Sequence, residues 1–185
     1  MNRRTVRNGL LGLALSIGGM GVGYISGIGH AAPARNNTPL VTLAAQKIGV
    51  RQCLPAVTSI AQRGLLGATM QDIVLNWDHQ APDAGPFFSM TGMGAAVQRA
   101  TLSITAVPVA GGSCAVLVER VSSGADNCSI VATRDLPPMP GGKLIDGITV
   151  YQNPKQPEET YTLVQNPGSC IVIRRQVVFK WSAGQ

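Results

Sequence analysis

Four cysteines are the residues of this chain whose type and spacing indicate chemistry most directly. They are Cys53, Cys114, Cys128 and Cys170. No two of them form a C-x-x-C pair, the spacing typical of zinc sites and of redox-active dithiols. An even number of widely spaced cysteines is typical of structural disulfides in exported proteins. The sequence therefore predicts two structural bridges and no metal site.

Two ten-residue segments resemble each other and constrain the pairing of these cysteines. Residues 112–121 and 168–177 both read Gly-Ser-Cys, an apolar residue, Val, a second apolar residue and, after three variable positions, Val. A further cysteine precedes each copy. The pattern favours a diverged internal duplication, with chance similarity between two strands as the alternative. Duplication predicts one bridge in each half, Cys53–Cys114 and Cys128–Cys170, although the second half shows one predicted strand fewer.

His79 is the one histidine that remains once the N-terminal segment is set aside, and it follows Trp77 and Asp78. Neighbouring residues on a strand point to opposite faces, so Asp78 is poorly placed to act on the imidazole. No G-x-S-x-G nucleophile motif accompanies the pair. A carboxylate dyad of the glycosidase kind can still be assembled in three dimensions. The candidate acids for such a dyad are Asp78, Asp83 and Glu119, and Asp72 is a further carboxylate that a hydrolase could use.

Met90 and Met93 form a short methionine motif, and Met70, Met139 and His79 lie elsewhere in the chain. Thioether sulfurs are soft ligands that suit copper(I). The alternative is that these side chains fill a core or an edge strand, where methionine adapts to irregular packing. The motif leaves a copper(I) or small-ligand carrier open, but the sequence predicts no cofactor.

Trp181 is the aromatic residue with the clearest potential for binding. Aromatic residues make up 4% of the chain, so we expect most of them to anchor the core. Trp181 instead follows a strand-like run, Val177 to Phe179, near the carboxyl terminus. It is a candidate for an exposed position at a binding edge.

The amino terminus indicates export. Arg3, Arg4 and Arg7 precede an uncharged stretch from residue 10 to residue 29, and small residues follow. This order predicts a secretory signal peptide over residues 1–34 and a single exported domain over residues 35–185. An uncleaved anchor formed by residues 10–29 is the alternative, and it would be the chain's contact with the membrane. Either arrangement places the domain outside the cytoplasm, in the periplasm or beyond.

The charge of the predicted domain is modest. The formal net charge falls from +6 to +3 without residues 1–34, because three arginines leave and all nine acidic residues stay. The adjacent pair Arg174 and Arg175 would point to opposite faces of a strand and would form no patch. We therefore expect no nucleic-acid partner. Glu158 and Glu159 follow Pro157 and are predicted to lie in a solvated turn.

The periodicity of apolar residues predicts two helices and then a series of strands. The first helix runs from Leu40 to Ile48 with Leu40, Leu43, Ala44 and Ile48 buried, and the second runs from Leu54 to Arg63. A third, short helix follows Asp126 and Asn127. The predicted strands are 73–77, 87–91, 97–109, 114–121, 148–152, 160–165 and 170–181. The stretch 137–142 is predicted to be irregular. The fold class is α+β, with an antiparallel sheet of about six to seven strands and two or three short helices.

These features favour a non-enzymatic protein of the cell envelope that binds another macromolecule, as an adaptor, an inhibitor or an accessory factor. Long apolar strands would offer edges to which a protein partner could add a strand. The alternatives are an envelope-polymer hydrolase that uses carboxylates and a small-ligand or copper(I) carrier.

Overall fold

The computed structural model describes residues 38–96 and 98–182. The predicted signal peptide, residues 1–34, and the alternative anchor, residues 10–29, lie outside the described residues. Across the described ranges, no helix has both the length and the apolar character needed to cross a bilayer.

The structure is α+β, as predicted. The helices are α1 (Leu40–Ile48), α2 (Leu54–Gly64) and α3 (Cys128–Asp135). The strands of the first half are β1 (Met70–Trp77), β2 (Phe87–Ala95), β3 (Gln98–Val109) and β4 (Ser113–Gly124). The strands of the second half are β5 (Gly141–Ile145), β6 (Ile148–Gln152), β7 (Glu159–Asn166) and β8 (Ser169–Trp181).

All eight strands belong to one antiparallel sheet with the order β1-β2-β3-β4-β8-β7-β6-β5. Each half of the chain is a helical segment followed by four strands in which each strand pairs with the next. The two halves meet where β4 pairs with β8, the two central strands, and the edges of the sheet are β1 and β5.

Strand β5 is an addition to the six or seven strands that the sequence predicts. It begins at Gly141, within the stretch predicted to be irregular. Two adjacent glycines and the preceding prolines hide its strand character, because both residue types are depleted in strands. With β5 present, each half has four strands. The fourth strand of the second half therefore starts near α3, and the chain between them does not recross the sheet.

Helix α1 has the predicted bounds, but its buried face differs from the prediction. Val41, Thr42 and Ala45 are buried, whereas Leu40 and Leu43 are 41% and 48% exposed. The helix ends at Gly49, whose φ of 101° lies in the left-handed region that a glycine adopts readily. The apolar pattern of α1 is broad enough to fit more than one face, and contacts with α2 and β1 select the face that is buried.

The core lies between the helices and one face of the sheet. In β3, Leu102, Ile104 and Ala106 are buried, as the alternation predicts, and they belong to a core that includes residues of α1 and α2. A smaller core in the second half consists of Val131, Leu163 and Cys170. By the register of the strands, both cores lie on the same face of the sheet.

Each half is closed by one disulfide, and both pairings are those that the repeat predicts. Cys53 precedes α2 and is bonded to Cys114 at the start of β4. Cys128 opens α3 and is bonded to Cys170 at the start of β8. Each bridge therefore ties the start of a helix to the start of the fourth strand of its half.

The two central strands are paired around equivalent positions of the repeat. Glu119 lies five residues after Cys114, Arg175 lies five residues after Cys170, and these two residues face each other across the strand pair. The two strands are antiparallel, and their equivalent residues face each other. They are therefore related by an approximate two-fold axis that passes between Glu119 and Arg175, perpendicular to the sheet. Equivalent residues of the halves therefore lie on the same face.

Candidate binding surfaces of the sheet

The sheet has one face that no helix of the described chain covers, which we call the open face. On β3 the buried residues alternate with Thr101, Ser103 and Thr105, which are half-buried and point away from the helices. On β4 the residues of the open face include Leu117, Glu119 and Val121. The open face is thus lined mainly by branched and small side chains rather than by charged ones.

Strand β1 is a long edge that pairs only with β2 within the described residues, and its one charged residue is Asp72. It has eight residues, contains no proline, and keeps a continuous register with β2 from Met70 to Trp77. Natural sheets usually blunt such an edge with bulges, proline or lysine. The side chains of β1 on the helix side, among them Ile73 and Leu75, are half-buried against the main core.

Four exposed apolar side chains lie beside this edge on the open face, and we call them the edge patch. The edge patch consists of Met70, Val74, Phe88 and Met90, each 44–46% exposed. Val74 and Met90 are cross-strand neighbours. The patch provides apolar contacts next to the unpaired backbone of β1.

The opposite edge is built differently. Strand β5 has five residues, and its register with β6 shifts between Lys143 and Ile145. Pro140 precedes it, and Lys143 forms an ion pair with Asp146 beyond its end. A short strand with an irregular register is a poor template for the addition of another strand. The two edges of the sheet are therefore unequal.

His79 and the neighbouring acids lie in the loop that joins β1 to β2. The imidazole stacks on Trp77 with 4.2 Å between ring centroids. The Asp78 carboxylate accepts the backbone N–H groups of Gln80 and Ala81 and so shapes the turn. No hydrogen bond or ion pair joins His79 to an acid within the described residues.

Asp83 ties the same loop to the helices. Its Oδ1 accepts the backbone N–H groups of Arg51 and Gln52, at 2.7 Å each, between α1 and α2. These hydrogen bonds, with a smaller contribution from the charge of Arg51, lower the pKa of the Asp83 carboxyl. The carboxylate therefore has a structural role in the linker between the helices.

The remaining candidate acids are not gathered into a dyad. Asp72 lies on β1 and Glu119 on β4, both on the open face. Three strand spacings separate them, which corresponds to about 14 Å. Carboxylate pairs that cleave glycosidic bonds lie roughly 5 to 9.5 Å apart. Asp72 and Glu119 therefore do not form such a pair.

Met90 and Met93 lie on opposite faces of the sheet. The Met90 side chain is exposed in the edge patch, whereas Met93 is 8% exposed and belongs to the main core. A spacing of three residues on a strand places side chains on opposite faces. The two thioethers therefore do not converge on one ion.

Trp181 lies against the main core rather than at an exposed edge. A register shift gives β8 one extra residue opposite Cys114 to Val116, and Trp181 is paired with Cys114. This bulge places Trp181 on the helix side of the sheet, against the main core. Phe179 is the exposed aromatic side chain of β8 instead, at 78%. The sequence alone does not reveal a bulge, so it does not distinguish the two aromatics.

Glu159 is a buried acid that the sequence places wrongly in a solvated turn. It is 3% exposed and begins β7, where its carboxylate accepts hydrogen bonds from Arg174 and from the side-chain amide of Asn153. The Arg174 guanidinium also lies over the Tyr161 ring, 5.8 Å from the centroid. Burial is the main cause that raises the pKa of Tyr161, and Glu159 adds to it. The cluster holds β7 to β8 on the helix side.

A cleft of about 180 Å³ lies beside α3, lined partly by Thr149, Tyr151 and Gln165. The Gln165 side chain caps α3 by accepting the Cys128 N–H and donates to the carbonyl of Ser169. Pockets for small molecules usually enclose roughly 300–1,000 Å³. The cleft is smaller than that, and its amide is already engaged within the fold.

The residues from 38 to 96 and from 98 to 182 contain no cluster of three or more His, Cys, Asp or Glu side chains placed to hold a metal ion. No protein-family model matches the chain, and no curated protein or solved structure is significantly similar to it. The two disulfides are typical of proteins from an oxidising, non-cytoplasmic compartment.

Proposed function

We propose that this chain is an exported, non-enzymatic binding protein of the cell envelope that takes up an extended segment of a partner protein along β1. Residues 1–34 would serve as its signal peptide, and residues 35–185 would act as a single domain. The observation that carries the proposal is the inequality of the two sheet edges. Among the described residues, β5 is short and irregular, whereas the longer β1 has an unpaired edge without a bulge or a proline.

An added strand would obtain main-chain hydrogen bonds from β1 and side-chain contacts from both sides of the edge. The edge patch supplies apolar contacts on the open face, since Val74 and Met90 are neighbours there. Main-chain pairing gives such complexes affinity, and pockets for alternate side chains give them specificity. We therefore expect a partner segment with apolar residues at every second position.

Hydrogen exchange of the disulfide-bonded protein, free and in complex, tests this proposal. The partner is first isolated from native envelope extracts on the immobilised protein. Strand addition predicts that amides of Met70–Trp77 gain protection in the complex while those of Gly141–Ile145 do not. A stoichiometric partner that leaves the exchange of β1 unchanged would contradict the proposal.

Val74→Lys should abolish the complex, because it places a charge in the edge patch. Ile145→Lys is the matched control at the other edge, where the side chain is 61% exposed, and it should bind as the original protein does. Met90→Lys provides a second test within the patch. Unchanged thermal unfolding would show that each variant is folded. Equal binding by all three variants would count against β1.

The finer features of the fold also support an origin by internal duplication, which we include in the proposal. Both halves have a helix, four paired strands and a disulfide at the same two places. The residues of the central pair are equivalent in the repeat, as a pair of identical halves would require. In this proposal, the two edges became unequal when the first half acquired its binding role.

A further inference from the structure

The centre of the open face carries an apolar surface that is distinct from the edge of β1. The side chains of β4 and β8 there are mostly aliphatic and only half-buried, although no described helix covers them. They include Leu117, Val121, Ile171, Ile173 and Val177. Phe179 follows at the end of β8 and is largely exposed. A contiguous apolar surface of this kind is typical of an interface.

The size of this surface fits a protein interface. Together with the strands beside them, β3 and β7, whose open-face side chains are mainly Thr and Ser, β4 and β8 span about 19 Å at the usual strand spacing. Strands of about 12 residues are roughly 40 Å long, so the projected area is about 700 Å². A standard stable interface buries roughly 800 Å² on each partner. The surface is thus large enough for one face-to-face contact.

The regularly paired part of β4 and β8 has its open-face charges at the midpoint. Between Val116 and Gly124 on β4 and between Cys170 and Val178 on β8, only Glu119 and Arg175 carry a charge on the open face. Arg175 Nε lies 3.7 Å from Glu119 Oε1, and the side chains are 52% and 38% exposed. Neither side chain forms a hydrogen bond within the described residues. Arginine has five N–H donors, so the pair retains unused hydrogen-bonding capacity.

The position of this pair makes the surface complementary to itself. Glu119 and Arg175 lie on either side of the approximate two-fold axis that relates the halves. If a second copy is turned over about an axis parallel to the strands, each Glu119 faces an Arg175. If it is turned over about the in-plane axis perpendicular to the strands, like charges face each other, which is unfavourable. Charge therefore selects one orientation of two identical sheets.

We infer that a second copy of this chain docks on the open face, with Glu119 of each copy facing Arg175 of the other. Two sheets that pack face to face lie about 10 Å apart, a gap that long Glu and Arg side chains can bridge. The aliphatic residues of β4 and β8 fill the contact around the two charge pairs.

This dimer leaves β1 accessible. The dimer contact is made by side chains of the central strands that project from the open face. Strand addition instead uses the unpaired backbone of β1, which lies at the edge of the sheet. The dimer contact and the proposed partner contact therefore use different parts of the sheet, and each can fail without the other.

Sedimentation equilibrium of the disulfide-bonded protein tests the dimer through two charge reversals. Glu119→Arg leaves two arginines at the centre, and Arg175→Glu leaves two glutamates. Each variant alone should dissociate at least about 100-fold more readily, because both intermolecular pairs become repulsive. An equimolar mixture of the two should recover a heterodimer, because the arginines of one copy then face the glutamates of the other.

Recovery in the mixture distinguishes contact between chains from contact within one chain. Within each variant chain the central pair stays repulsive, so a purely intramolecular role predicts no recovery. Arg120→Glu is the matched control, since it reverses a charge one residue away on the helix side and should leave the dimer intact. A protein that is monomeric at about 100 µM, far above the roughly micromolar range of stable complexes, would overturn the inference. The inference would also be overturned if both charge-reversal variants dimerised alone as the original protein does, or if they stayed monomeric when mixed.

Discussion

Glu159 and Arg174 are bonded across β7 and β8, with the carboxylate buried and the guanidinium half-exposed. The acid is also held by Asn153. A buried carboxylate is tolerated when charged and polar partners satisfy it, and the loss of its charge leaves those partners without compensation. The second half has a small core, so this polar cluster is expected to contribute substantially to its stability.

Glu159→Gln should lower the free energy of unfolding by about 2 kcal/mol. The full cost of breaking a buried pair is about 3–5 kcal/mol, and the exposure of Arg174 reduces it. Glu158→Gln is the control, because this neighbouring side chain is exposed and its change should stay within about 0.5 kcal/mol. Urea unfolding of both variants checks the difference. Equal effects would show that the pair contributes nothing specific.

Asp83→Asn should remove an acid-sensitive part of the stability. The pKa of Asp83 is lowered in the folded state, so its contribution is present above the carboxyl pKa of the unfolded chain, about 4. It is lost as the pH falls through the folded value. At neutral pH the variant should be about 1 kcal/mol less stable, an estimate discounted for solvent.

Thermal unfolding between pH 7 and pH 2 measures this effect. The difference between Asp83→Asn and the original protein should shrink as the pH falls below about 4. Asp146→Asn provides the control, since its side chain is 95% exposed. A difference that is constant across the pH range would show that the carboxylate charge at Asp83 is unimportant.

The predictions from sequence succeed where local pattern and repeat agree. Gly49 and the alternation of β3 define elements that the structure confirms, and the repeated Gly-Ser-Cys segments identify both disulfides. The predictions fail where distant contacts decide the outcome. Glu159 is buried by Arg174, a residue 15 positions away, and the bulge that turns Trp181 toward the core depends on pairing with β4.

The edge strands of the sheet show the same contrast between what local pattern predicts and what distant contacts decide. The sequence predicts long strands and the possibility of strand addition, but it does not identify the edge strands. The order of strands follows from the pairing of β4 with β8, which joins residues far apart in the chain. The sequence makes Met90 a candidate copper(I) ligand because of its sulfur, whereas the structure indicates a role for its exposed apolar surface beside β1.

Met93→Ala and Met90→Ala should differ strongly in their effect on stability. Met93 lies in the main core, and truncation of a buried methionine costs about 2–5 kcal/mol. Met90 is about half exposed, so its truncation should cost less than about 1 kcal/mol. Denaturant unfolding checks the difference. Similar losses for both variants would contradict the placement of these side chains on opposite faces.

The two disulfides should differ in what their removal releases. Closing loops of 61 and 42 residues is worth about 4 kcal/mol each in the loop-entropy model. The α2 end of Cys53–Cys114 is also held by the large main core, whereas α3 is held by a small core in which its own Val131 meets Leu163 and Cys170. Cys128→Ala with Cys170→Ala should therefore detach α3 locally.

Hydrogen exchange of the two double variants distinguishes local from global loss. Without Cys128–Cys170, amides of α3 should exchange freely while those of β3 and β4 remain protected, because the main core is intact. Without Cys53–Cys114, protection should fall throughout the sheet, since this bridge lies within the main core. Uniform loss of protection in both variants would mean that the halves unfold as one unit, and α3 would then depend on the whole sheet rather than on its own bridge.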